Sequence, residues 1–200
     1  MRESGVGRVL VASLHQAIGD ILPMRLTFYE EWLSAEGLRD GTIGLASLYA
    51  ILSFLRQEED NAYTQVTRRA GEYAAEWTVD SMRPFARTMI GRLPLALRRR
   101  VLLDRAKALV RMSYEGSKAS WRLRRGTARV TVATSVFCTV RERSAHPLCG
   151  YYAAAYGRLL AKFDLPVSVS LESCRAAGGP ACVLSVPFDS AAGEQEAEVA

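Results

Sequence analysis

Four cysteines, Cys138, Cys149, Cys174 and Cys182, all lie in the last third of the 200-residue chain. Thiolates bind zinc, whereas thiols in a reducing compartment also serve as small buried apolar groups. Cys149 follows Pro147 in the first turn of a predicted helix, where the helix N-terminus lowers a thiol's pKa and favours thiolate. Cys174 and Cys182 flank the turn Gly178-Gly179-Pro180. A hairpin there sets them near one another across a strand pair, which suits a shared metal or cross-strand packing. Three thiolates need a fourth ligand, for which Glu172, Cys138, His146 and water are candidates. No Cys-x-x-Cys knuckle is present.

Catalytic signatures do not accompany the cysteines. The chain has no glycine-rich phosphate loop, no Gly-x-Ser-x-Gly elbow, no His-Glu-x-x-His and no Gly-x-Gly-x-x-Gly. Of its two histidines, His15 sits on an apolar helix and reads as a core or boundary residue, and His146 lies in the loop before Cys149. Aromatic side chains with polar tips are better placed to bind than to react. Tyr73 and Trp77 share one helix, Tyr114 ends another, and Tyr151 and Tyr152 open a third. Such groups suit a pocket for a flat organic ligand, and the same residues at helical spacing equally suit a core.

The elements that must position these groups change character midway. Apolar residues recur at helical spacing over residues 6–21, 24–35, 43–55 and 61–82, with Pro23 and Gly37 as stops and Thr42 and Asp60 or Asn61 as N-caps. Pro84 opens a short helix to Arg92, and Pro94 opens another over 95–114. After Gly116 the period becomes two, through Trp121, Leu123, Val130, Val132, Thr134 and Val136 around Arg125-Gly126-Thr127. A helix over 148–163 and a second hairpin, Val167 to Phe188, follow. The expected fold class is α+β, a helical N-terminal half on a roughly four-stranded antiparallel sheet built as β-hairpin, helix, β-hairpin. Residues 189–200 lack large apolar side chains and are expected to be a disordered tail.

With 49% hydrophobic residues and mean hydropathy near zero, the chain can build one core. No run of eighteen apolar residues suggests a membrane span, and the N-terminus does not read as a secretory signal, so a soluble cytoplasmic protein is expected. The net charge of +5 is uneven: residues 83–129 hold fourteen basic and two acidic side chains, a local +12 against −7 elsewhere. This Arg-rich 83–129 face reads first as the solvated side of an amphipathic helix, second as a docking surface for a protein partner, and last as a nucleic-acid contact.

Several stretches together resemble one family. They are Arg69-Ala70-Gly71-Glu72-Tyr73-Ala74-Ala75-Glu76-Trp77, Leu93-Pro94, Tyr114-Glu115-Gly116-Ser117, Pro147-Leu148-Cys149-Gly150-Tyr151-Tyr152, and Glu172-Ser173-Cys174 through Gly178-Gly179-Pro180-Ala181-Cys182. In this order they resemble the vinyl-4-reductase domain family, over about residues 61–188. The resemblance implies a small-molecule-binding domain related to the sensor domains of aromatic-responsive transcription activators and to TRAPP subunits, dimerised through N-terminal helices, here residues 1–60. Zinc-bearing members hold the metal with three cysteines and a glutamate. The cysteines map onto Cys149, Cys174 and Cys182. The glutamate's position, three before its cysteine, is Leu171 here, and Glu172 is one residue off.

The expected function is therefore a sensor or carrier for a hydrophobic or aromatic small molecule, lined by Trp77, Tyr73, Tyr114, Tyr151 and Tyr152. A structural zinc on Cys149, Cys174, Cys182 and Glu172 would staple the last hairpin to its helix. The alternatives are an accessory factor or reductase of bacteriochlorophyll or tetrapyrrole metabolism, and a ligand-free interaction module. No site for a hydride-donating cofactor is visible in the residues.

Overall fold

The computed structural model describes residues 5–33, 44–140 and 143–188. The expectations at Gly37, Thr42 and the tail from residue 189 lie outside them. The described residues form seven α-helices packed on a four-stranded antiparallel sheet, an α+β fold. The helices are α1 (Arg8–Ile21), α2 (Leu26–Leu33), α3 (Leu45–Leu55), α4 (Ala62–Asp80), α5 (Pro84–Arg92), α6 (Leu95–Ser113) and α7 (Gly150–Ala161). Among them no helix is long and apolar enough to cross a membrane.

The prolines act as the sequence predicts. Pro84 occupies the first turn of α5, and Pro94 is the N-cap of α6. The start of α4 differs in detail. Asp60 and Asn61 both take left-handed backbone, at φ 55 and 58, and Asn61 makes no side-chain cap hydrogen bond. Asn61 is the N-cap, as expected, but caps through its backbone carbonyl, and the pair redirects the chain between α3 and α4 into a bend that forms one wall of the cleft described below.

The sheet comprises β1 (Ala119–Arg124), β2 (Thr127–Val132), β3 (Ser170–Ser173) and β4 (Cys182–Pro187), in the order β1-β2-β4-β3. Arg124 pairs with Thr127, so the first hairpin turns on two residues. Arg125 at φ 46 and Gly126 at φ 72 give that turn the positive φ pair whose twist matches the strands. The expected strand through Thr134 and Val136 stops at Val132. Val136–Cys138 is a 3-10 turn with Val136 and Phe137 fully inside the core. The burial of those two apolar residues imitates a strand pattern.

One face of the sheet is dry and the other wet, as antiparallel sheets permit. Ala128, Val130, Val132, Cys182, Leu184 and Val186 are buried, and α6 packs on the sheet at β1 and α7 at β3. Arg122, Arg124 and Arg129 stand on the opposite face. The basic block is thus split between sheet and helix. Part of it packs rather than solvates: Arg99 lies over the Phe188 ring at 4.9 Å, and Arg98 Nη1 donates to the Gly91 carbonyl at 3.1 Å.

Helix α7 is the axis of the core. It packs along α4, whose other side meets α1, and its Tyr151, Tyr152 and Tyr156 are all buried. Tyr151 Oη lies 3.3 Å from Ser113 Oγ, whereas the Tyr156 hydroxyl is fully buried with no hydrogen-bond partner among the described residues. An unsatisfied buried hydroxyl costs about 1–3 kcal/mol. Tyr156→Phe is therefore expected to raise the thermal midpoint by roughly 2–12 °C, measured by calorimetry; a fall would mean that the hydroxyl has a partner.

Candidate metal centre and the cleft beside it

Three stretches of chain deliver the four cysteines to one point, two of them from a single hairpin. Cys138 ends the 3-10 turn after β2, Cys149 is the N-cap of α7, Cys174 follows β3, and Cys182 begins β4 opposite Val132. The second hairpin closes through Gly178, at φ 91, which an L side chain adopts only with strain. Ser173 Oγ donates to the Ala181 carbonyl at 2.9 Å, and Gly179 N–H donates to the Cys174 carbonyl at 2.9 Å. These bonds fix the two cysteines of the hairpin.

The Sγ atoms all lie within 4.8 Å of one another. Cys138 Sγ is 3.0 Å from Cys149, 3.4 Å from Cys174 and 3.4 Å from Cys182. Cys149 Sγ is 3.6 Å from Cys174 and 3.1 Å from Cys182. None is in a disulfide. A tetrahedral ion with metal–sulfur bonds of about 2.3 Å sets its sulfurs about 3.8 Å apart, so the cluster is a slightly contracted S4 site. Cys149, Cys174 and Cys182 are buried and Cys138 is half-buried.

The four clustered thiols perturb one another. Hydrogen bonding with Cys138 pushes the Cys149 and Cys182 thiols up and the Cys174 thiol down, while Cys149 pulls Cys138 down. Protons are shared because four adjacent thiolates repel one another; a divalent ion removes that conflict. Backbone donors already favour sulfur anions. Leu148 N–H donates to Cys174 Sγ at 3.4 Å, and the amides of Ala176 and Arg175 lower Cys138 and Cys182. Such outer contacts orient thiolate ligands and support their charge. By donor type, spacing and burial the residues fit a structural zinc.

Glu172, the expected fourth ligand, is not among the clustered groups, and Cys138 is. Glu172 sits at a bulge in β3, between Leu171 paired with Leu184 and Ser173 paired with Val183. Its carboxylate is on the wet face, where it accepts from Arg129 Nε at 2.8 Å and pairs with Nη2 at 2.6 Å. Leu171 takes the inward direction, and Cys138 fills the vertex from another segment. Neither histidine joins the cluster: His15 meets Glu30 at 2.9 Å, and His146 is exposed in its loop.

The five aromatic candidates do not converge. Tyr73 stacks on Trp77 at 5.5 Å, lies 4.2 Å from the Arg69 guanidinium and donates to Asp20 Oδ2, an arrangement that ties α4 to α1. That hydroxyl holds the Asp20 carboxyl below its ordinary value. Tyr114 forms a bridge with Val6. Tyr151 and Tyr152 enclose Phe137 at 4.9 and 5.4 Å, so their rings occupy the space expected for a pocket between helices and sheet.

A substantial concavity lies elsewhere. A cleft of about 1010 Å³ opens between the α3–α4 bend and the segments carrying Cys138 and Cys149. Tyr49, Arg56, Tyr63, Val140, His146 and Leu148 are among its walls. Tyr63 Oη donates to the Leu148 carbonyl at 2.9 Å, and Leu148 N–H meets Cys174. Cleft and cysteine cluster therefore share a wall. Nothing in the sequence announces this, because the cleft depends on how two irregular segments face each other.

No family model matches the chain, and no curated protein matches it. Solved structures do. The phenol-responsive sensory domain of the transcription activator PoxR, in its structure with phenol, is similar at TM-score 0.54 and 16% identity, over 77% of this chain and 79% of that one. The SO2144 H-NOX domain from Shewanella oneidensis, in the Fe(II)CO ligation state, is similar at TM-score 0.50 and 12% identity, over 92% of this chain and 98% of that one. At such identities the likeness is one of fold alone.

Proposed function

We propose that this chain is a small-molecule-binding domain, a sensor or carrier of the kind the vinyl-4-reductase resemblance implies, built around a structural zinc. The observation that carries the reading is the shared wall. The residues just after Cys138 (Thr139 and Val140) and just before Cys149 (His146, Pro147 and Leu148) line a 1010 Å³ cleft, so the chain that delivers two sulfurs of the cluster also walls the cleft. Zinc would bind Cys138, Cys149, Cys174 and Cys182, neutralise their charge and crosslink the three stretches of chain, as closed structural sites do. The cleft is at the upper end of the roughly 300–1,000 Å³ typical of ligand sites. The PoxR domain's fold and the phenol in its structure support an aromatic or hydrophobic ligand.

Elemental analysis of the purified protein is expected to give about one zinc per chain, and a chelator is expected to lower the unfolding temperature. A folded chain free of metal would overturn the zinc. Thermal-shift titration with an aromatic panel tests the binding role separately: no shift with any member would count against it.

A further inference from the structure

We infer that the cleft selects an apolar molecule carrying a carboxylate, with Arg56 as the anion-binding residue; this rests on reading the cleft as the ligand site. Two charged side chains of opposite sign face the cleft from the α3–α4 bend, and the structure treats them differently. The Glu58 carboxylate is already used: Tyr29 Oη donates to it at 2.9 Å and Arg25 Nε lies 3.6 Å away. Arg56 meets no carboxylate among the described residues. Its guanidinium lies 5.9 Å from the centroid of the Tyr63 ring, and that ring is pinned by its hydroxyl bond to Leu148.

A guanidinium steadied on an aromatic face keeps its fork of N–H donors free for a planar anion, which is the geometry that favours carboxylates. Around it the cleft offers hydroxyls from Tyr49, Ser53 and Ser144, and apolar surface from Leu55, Pro147 and Leu148. Tyr49 Oη donates to Thr139 Oγ1 at 3.4 Å across the cleft, next to Cys138, so an occupant touches the metal-holding turn. His146 is also on the wall, and Glu58 is the one carboxylate among the cleft's described lining residues. Charge and shape thus point to one class of ligand, a carboxylate at Arg56 with its apolar body toward Leu148.

The test uses the zinc-loaded chain with naphthalene-2-carboxylate and its neutral, nearly isosteric carboxamide, followed by calorimetric titration. The carboxylate is expected to bind roughly 10- to 100-fold more tightly than the amide. Arg56→Met is expected to abolish that preference, and Arg56→Lys to keep part of it. Unchanged unfolding temperatures of both variants show that the loss is local. Equal binding of the two probes, or a preference that survives Arg56→Met, overturns the anion inference while leaving the cleft a ligand site. Binding of neither probe overturns both.

Discussion

Cys138→Ser is expected to cost the protein its zinc, whereas Glu172→Gln is expected to retain it. The two variants separate an S4 site from a three-cysteine, one-glutamate site, and geometry favours the first. Cys138 Sγ is within 3.4 Å of three other sulfurs, while the Glu172 carboxylate is 2.6 Å from an arginine on the opposite face of the sheet. Structural zinc sites contribute on the order of 10 kcal/mol of binding free energy, comparable with the about 5–15 kcal/mol that separates a folded domain from its unfolded chain. Losing one of four thiolates should therefore lower the unfolding temperature by tens of degrees or leave the chain unfolded, as read by circular dichroism beside elemental analysis. Full zinc content in Cys138→Ser would sink the S4 assignment. Zinc loss in Glu172→Gln would restore the glutamate.

The contrast shows where the sequence is readable and where it is not. Proline starts, helical periodicity and the two hairpin turns are local properties, so α5, α6 and β1–β2 follow from residues a few positions apart. The meeting of Cys174 and Cys182 across a glycine turn is equally local. The fourth vertex is not. Cys138 reaches it because the chain leaves the sheet after Val132 and buries Val136 and Phe137 in a 3-10 turn, and alternating apolar residues read the same in either conformation. Glu172 is set apart from the cysteines for a related reason: a single bulge decides which face a strand residue takes, and bulges leave no mark at residue level. The tyrosines carry the same ambiguity. Tyr151 and Tyr152 have the composition of a pocket lining, but only packing against Phe137 shows that they fill space rather than bound it.

Gly71→Ala is expected to destabilise the protein by about 2–3 kcal/mol, although helix propensity alone predicts a gain of about 1 kcal/mol. Gly71 lies mid-way along α4 at the crossing with α7. A Cβ there would stand 2.2 Å from the Tyr151 carbonyl oxygen, 3.0 Å from its carbon and 3.1 Å from Ala154 Cβ. Two of those three atoms are backbone, so no rotamer change can relieve the contact and α7 itself must move. Ala70, Ala74 and Ala75 keep the rest of this α4 surface small, which is how the helices approach so closely. A displaced α7 carries Tyr151 away from Phe137 and Cys149, two residues earlier, away from the cluster. The variant should therefore also lose zinc to a chelator faster, with a thermal midpoint roughly 4–12 °C lower. Gly91→Ala is the matched control: it too sits in a helix, but nothing lies within 4 Å of the added Cβ, so propensity should prevail and stability rise slightly. Equal effects of the two substitutions would mean that α4 and α7 are not in close contact at Gly71.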